Sequence, residues 1–291
     1  MPDTVSAAEI PRVAVYLDFD NIVISRYDQV HGRSSFQKDK ARGLDKDRLT
    51  KATVDIGAII DFASSFGTLV LTRAYADWSA EINADYQSQL VGRAVDLVQL
   101  FPAAAYGKNG ADIRLAVDAV EDMFRLPDLT HVVIVGGDSD YIALAQRCKR
   151  LGRYVVGIGV AGASSRSLAA ACDEFVTYDA LPGIPTAAPI PAKKATKRAK
   201  SRAPDDEPEP ADPQPAATGL LERALRIGHE KDDADWLHNS AVKAQMKRMD
   251  PSFSEKSLGF RSFSDFLRSR SDVADLDESS TTRMVRLHRD N

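Results

Sequence analysis

Long apolar runs are missing from this chain: nowhere in its 291 residues is there the stretch of roughly 20 consecutive apolar positions that a membrane span requires. The opening "MPDTVSAAEIPRV" lacks the charged start and apolar middle of a secretory signal, so a cytoplasmic protein with no membrane partner is expected. Cysteine is scarce. Cys148 and Cys172 have no CxxC spacing and the five histidines are scattered, which argues against a disulfide framework and against a zinc site; both cysteines read as small core residues. A basic excess is absent as well, and a formal net charge of -4 argues against a protein that coats nucleic acid indiscriminately.

What is present is a hydrophobic content of 44%, enough to bury a sizeable core in one or two domains. Charge is concentrated in one place: "AKKATKRAKSR" carries six cations and is followed at once by "APDDEPEPADPQP" with five acids. Residues 182–217 have almost no large apolar side chain, which is the composition of a linker between a first domain, 12–181, and a second, 218–291. The basic half of the linker reads either as a phosphate-binding tether or, more simply, as a solvated spacer.

In the first domain, strand-like runs alternate with helical patterns. "VAVYLDF" (13–19), "TLVLTRAYA" (68–76), "VDLVQLF" (95–101), "HVVIVG" (131–136), "YVVGIGV" (154–160) and "EFVTYD" (174–179) read as six strands buried on both faces. "LTKATVDIGAIIDFASSFG" reads as one helix stopping at Gly67, and "SDYIALAQRCKRLG" as another stopping at Gly152. The alternation predicts an α/β fold, a parallel sheet sandwiched by helices, with its sites just beyond the carboxyl ends of the strands.

Acids gather at those ends. Alternation along the first strand places Tyr16, Asp18 and Asp20 on one side and Leu17 and Phe19 on the other. "VVIVGGDSDY" runs out of a strand through two glycines into Asp138 and Asp140, and Asp112 opens a helix whose Ile113, Val117 and Val120 are expected to form its buried stripe. Taken singly, Asp138, Ser139 or Asp112 could cap a helix, and Asp20 or Asn21 could make an Asx turn. Three clusters at one sheet edge repel one another unless a cation is present, and an all-oxygen set points to Mg²⁺ or Mn²⁺ acting on a phosphate ester.

"VAVYLDFDNI", "AYADW", "GKNGADIRLAVDA" and "VVIVGGDSDYIALAQRCKRLG" resemble, in order, the motifs of the NYN domain, the PIN-like nuclease domain of the LabA-like family. That resemblance implies a PIN-like (Rossmann-like) fold and metal-dependent ribonuclease activity. The carboxylates would position one or two ions that activate water and stabilise the departing oxygen. Position by position it implies catalytic roles for Asp18, Asn21, Asp112, Asp138 and Asp140, metal ligation by the four aspartates among these, and auxiliary roles for Asp20, Asp118 and Ser139. Lys108 and Arg114, which flank Asp112, are expected RNA contacts; the turn at Lys108 is one residue longer than the usual lysine-glycine spacing.

Three helical patterns follow the linker, in "GLLERALRIGHE", "WLHNSAVKAQMKRMDPSFS" and "GFRSFSDFLRSR", and the short runs "VADL" and "MVRLH" suit the strands of a wing. The region resembles the OST-HTH or LOTUS domain, a small winged helix-turn-helix, through "SLGFRSFSDFL"; that implies an RNA- or protein-binding module. Phe260, Phe263 and Leu267 recur at helical spacing and read as core. Lys243, Lys247 and Arg248 are the expected contacts to single-stranded or structured RNA, although 13 basic and 13 acidic residues from Thr218 onward cancel. A protein partner for this domain and association into a homo-oligomer are left open.

Two rivals stand beside the nuclease. A haloacid-dehalogenase-like phosphatase also places Asp-x-Asp after its first strand, but Asn21 and Ile22 follow here and the later motif is Asp-Ser-Asp, which disfavours it. A non-catalytic RNA-binding regulatory protein would use the same pocket to hold RNA without turnover.

Overall fold

β1 (Arg12–Asp18) runs through the middle of the first unit with Val13 to Leu17 fully buried. A computed structural model describes residues 10–101, 110–184, 213–232, 235–279 and 282–288, which fall into two compact units, one within residues 1–187 and the other within 188–291. β1 is flanked by β2 (Thr68–Ala76) and β4 (His131–Val135), with β3 (Asp96–Gln99), β5 (Tyr154–Gly159) and β6 (Glu174–Thr177) completing a sheet of order β3-β2-β1-β4-β5-β6. Every pairing is parallel. All six expected strands are present, and their apolar runs are continuous because both faces of the sheet are covered.

Before β2 come α1 (Phe19–His31), α2 (Ser35–Lys40), α3 (Lys46–Lys51) and α4 (Ile56–Ser64). After it come α5 (Glu81–Ala84), α6 (Gln87–Val91) and α7 (Gly110–Arg125). A 3₁₀ turn, Ser139–Tyr141, leads into α8 (Ile142–Arg150), and α9 (Arg166–Ala171) precedes β6. Val13, Val15 and Leu17 pack into one core with Phe19, Ile56, Ile59 and Trp78; Ala14 and Tyr16 pack into the other with Leu115, Ala119, Tyr141 and Leu144. Strand alternation thus feeds two cores from one sequence run. The strand order reverses direction between β1 and β4, so the crevice beyond their carboxyl ends is the topological switch point of the sheet.

Two expectations about helices are corrected. The helix expected over 49–67 is two helices, because Asp55 caps α4 by accepting from Ala58 N at 3.1 Å, while Tyr86 and Tyr178 hydroxyls accept from Val54 N and Asp55 N at 3.0 and 2.7 Å. Those bonds satisfy the amides that a continuous helix would have turned inward. In α7 the buried stripe is Leu115, Ala119 and Met123, not Ile113, Val117 and Val120; Ile113 and Val117 are 61% and 57% exposed. The helix is rotated by its acids. Tyr16 and Tyr75, buried in the sheet, need acceptors for their hydroxyls, and Asp122 and Asp118 supply them at 3.0 and 3.1 Å.

In the second unit α10 (Pro213–Asp232), α11 (Asn239–Met249) and α12 (Phe263–Arg268) enclose a core that includes Leu221, Leu225, Met246, Phe263, Phe266 and Leu267, with Phe260 packed against it. β7 (Leu237–His238), β8 (Ala274–Asp277) and β9 (Met284–Leu287) form an antiparallel sheet of order β7-β9-β8. α10 begins at Pro213, so residues 213–217, expected in the linker, are helical, and Ala217 is buried against the core. The charged stretch 185–212 lies outside the described residues. Among the described residues no helix is long and apolar enough to cross a membrane.

Candidate metal centre

Asp18 ends β1 and at the same time caps α1, its Oδ1 accepting from Asn21 N at 3.1 Å. The next strand end, beyond β4, turns through Gly136 and Gly137. Neither glycine needs a left-handed backbone; they are there for space. A Cβ on Gly136 would stand 3.1 Å from the Tyr141 ring and 3.3 Å from Asp18 Cβ, and one on Gly137 would stand 3.0 Å from Ser164 Oγ. Asn21 Oδ1 accepts from Gly137 N at 3.0 Å, which ties the Asn21 side chain to this turn. That bond fastens the β4 turn to the start of α1.

Beyond the turn, Asp138 caps the 3₁₀ turn by accepting from Asp140 N at 3.1 Å. Capping and ligation do not compete here, because a carboxylate has four lone-pair positions and the cap takes one. Carboxylate oxygens of Asp112, Asp138 and Asp140 all lie within 4.8 Å of one another at the switch point. Two unit charges at that separation repel by roughly 3 kcal/mol at an effective dielectric of about 20, less for the exposed Asp140, which solvent screens. This repulsion is unfavourable unless a cation sits among them, and the hard, all-oxygen donor set suits a divalent ion of that kind.

Asp18 is not one of the three. It lies behind them, 4% exposed, and joins them through one hydroxyl: Tyr141 Oη is 2.8 Å from Asp18 Oδ2 and 2.7 Å from Asp112 Oδ1. Burial and the two carboxylates hold the Tyr141 phenol far above its ordinary pKa, so it is a donor. One proton cannot serve two carboxylates at once. Burial pushes Asp18 up to about 7, against the bonds from Tyr141 and Asn21, with the Asp112 charge adding to the rise. Asp112 is raised as well, by burial and then by the charges of Asp138 and Asp140, despite the Tyr141 bond.

The NYN domain model matches residues 12–179, the whole of the six-stranded unit. The chain belongs to the NYN domain family. NYN domains have a PIN-like, nuclease-type fold, which is the fold described above. Residues 211–286 match the OST-HTH/LOTUS domain, an RNA-binding type of module, and cover the three helices and the small sheet of the second unit. No curated protein sequence matches the chain. Among solved structures, a protein of unknown function from Vibrio parahaemolyticus is similar at 20% identity and a TM-score of 0.43, over 59% of this chain and 94% of that one.

The NYN domain brings together Asp18, Asp112, Asp138 and Asp140, with Asn21 and Ser139 at the edge; Ser139 Oγ is 3.4 Å from Asp138 Oδ1. It does not bring Asp20. Because α1 begins at Phe19, strand alternation stops at Asp18, and Asp20 turns away to accept from Asn83 Nδ2 at 2.6 Å and Asp77 N at 3.2 Å. Asp118 is held by Arg114 Nε at 2.9 Å and by Tyr75, one turn and a half along α7 from Asp112. Lys108 lies outside the described residues. Tyr141 and Asp122 were missed by the reading of the sequence. For Tyr141 the signal in the sequence is its position directly after Asp138 and Asp140.

In the OST-HTH/LOTUS domain the expected RNA contacts divide. Lys243 Nζ pairs with Glu255 Oε1 at 2.5 Å and lies 5.8 Å from the Phe263 ring centre, so it is engaged internally. Lys247 is half-buried and Arg248 is exposed on the same helix.

Proposed function

We propose that this chain is a metal-dependent ribonuclease that hydrolyses phosphodiester bonds at the β1–β4 switch point, in the cytoplasm. The observation that carries this reading is the convergence of Asp112, Asp138 and Asp140, with Asp18 joined to them through Tyr141. Mg²⁺ or Mn²⁺ is the ion such oxygens take, and when bound it supplies Lewis-acid activation of water and charge neutralisation at the phosphate.

The chain's own residues do the rest. Asp112, Asp138 and Asp140 hold the ion, and Asp18 stands behind Asp112 as a fourth carboxylate available to it. Tyr141 fixes the spacing of Asp18 and Asp112, and Asn21 fixes the turn that presents Asp138. Arg248, exposed on α11, is one cation the second domain offers to RNA phosphates. The division of labour is a nuclease domain at 12–181, a charged linker and an RNA-binding domain toward the C-terminus; the observed start of α10 moves the end of the linker to about 212.

Incubation of the purified full chain with labelled single-stranded RNA in Mg²⁺, Mn²⁺ or EDTA tests this, with Asp138→Asn alongside. Cleavage that needs the ion and is lost in the variant supports the reading. Cleavage indifferent to EDTA and to the variant rejects it, and tight RNA binding without cleavage in either ion favours a binding protein.

A further inference from the structure

α7 carries a second apolar face that the described residues of its own unit leave largely uncovered. Ile113, Val117 and Phe124 are 61%, 57% and 70% exposed, and half-buried Val120 completes the row. Among the described residues, seven large hydrophobic side chains are exposed, and three of them stand in this one row. The spacing is four, three and four, the repeat by which two helices pack along a shared seam. Ile113, Val117 and Phe124 lie on the far side of the helix from Leu115, Ala119 and Met123, which are buried in the sheet-facing core, while Val120, at the edge of the row, also packs against that core.

The row is also self-complementary. In an antiparallel pair of α7 helices Ile113 faces Phe124 of the second copy, and Val117 faces Val120. Both contacts then occur twice. In that register the residues flanking the seam on one side, Arg114 and Glu121, fall opposite each other across the two copies, Arg against Glu at both ends. Arg114 already bonds Asp118 at 2.9 Å and Glu121 already bonds Arg125 at 3.3 Å. Pairing joins these into an alternating run of charge, Asp118, Arg114, Glu121 and Arg125.

We infer that this face of α7 is a two-fold interface between copies of this chain, in which α7 packs antiparallel on α7 with Arg114 of each copy against Glu121 of the other. The register sets the two Asp112 positions roughly 20 Å apart along the helix axes, at opposite ends of the pair. The inference is independent of the proposed catalysis.

Sedimentation of the full chain over a concentration series tests it, with Val117→Asp, Arg114→Glu, Glu121→Arg and the double reversal. The wild type is expected to show a monomer–dimer equilibrium that Val117→Asp abolishes. Each single reversal places like charges opposite one another and weakens the dimer roughly tenfold or more, and the double reversal restores it. Circular dichroism melts confirm that the variants fold, as surface changes on the monomer should allow. A monomer at every concentration overturns the inference, as does a dimer that Val117→Asp leaves intact; a double reversal as weak as the single ones overturns the register.

Discussion

Tyr141 Oη lies 2.8 Å from Asp18 Oδ2, a contact that closes 123 residues of chain and locks the turn after β4 onto the end of β1. The same oxygen reaches Asp112 at 2.7 Å, so one phenol organises the ends of three elements. Removing it leaves Asp18 Oδ2 buried without its donor, while Oδ1 keeps the bond from Asn21 N. Tyr141→Phe is expected to cost the metal-free protein about 1–3 kcal/mol in denaturant unfolding, and to recover part of that loss on addition of Mn²⁺.

The acidity of Asp18 gives the stability a sign in pH. Its folded value, raised chiefly by burial to about 7, lies above its unfolded value. The folded state therefore binds the proton more tightly, and the stability this group contributes is present in full below about pH 4 and is lost as pH rises toward about 7. Melting temperatures of metal-free wild type and Asp18→Asn should accordingly differ by an amount that changes across that window. The Mn²⁺-induced rise in melting temperature of the wild type should grow with pH over the same range, because the ion competes with the proton.

Asp122 accepts from the Tyr16 hydroxyl at 3.0 Å and pairs with Arg73 at 2.5 Å inside the α7 side of the sheet. Asp122→Ala strands both partners and is expected to destabilise the NYN domain by roughly 3–5 kcal/mol. Adding Tyr16→Phe and Arg73→Met to it should return part of the loss, because stranded groups cost more than absent ones. Calorimetric unfolding of the series measures this.

Lys243 is predicted to matter to folding. Burial tends to raise Glu255, but the Lys243 bond and charge outweigh it and hold its carboxyl below the ordinary range. A depressed acid stabilises above its unfolded pKa and loses that contribution as pH falls through its folded value. Lys243→Met should lower the unfolding temperature of the second domain at neutral pH, with the difference from wild type shrinking in acid, while Arg248→Ala should leave it unchanged.

Much of this was legible beforehand because a parallel sheet writes itself as repeated apolar runs, and Asp138 and Asp140 follow one of them directly. What periodicity could not decide was which side of an amphipathic helix faces inward. α7 has two apolar rows, and the inner one was selected by long-range bonds from Tyr16 and Tyr75 to Asp122 and Asp118. Asp20 was misplaced for a smaller reason, since the chain leaves strand geometry at Phe19 and a side chain two residues past the strand no longer alternates. The break at Asp55 depended on hydroxyls of Tyr86 and Tyr178, which no local pattern announces.

Asp112, Asp138 and Asp140 are proposed to hold a divalent ion. Titration of the full chain with Mn²⁺, followed by electron paramagnetic resonance of the free ion, tests it without reference to any substrate. A saturable site that Asp112→Asn and Asp138→Asn each weaken by roughly tenfold or more is predicted. No bound Mn²⁺, or binding that both variants leave unchanged, would contradict it.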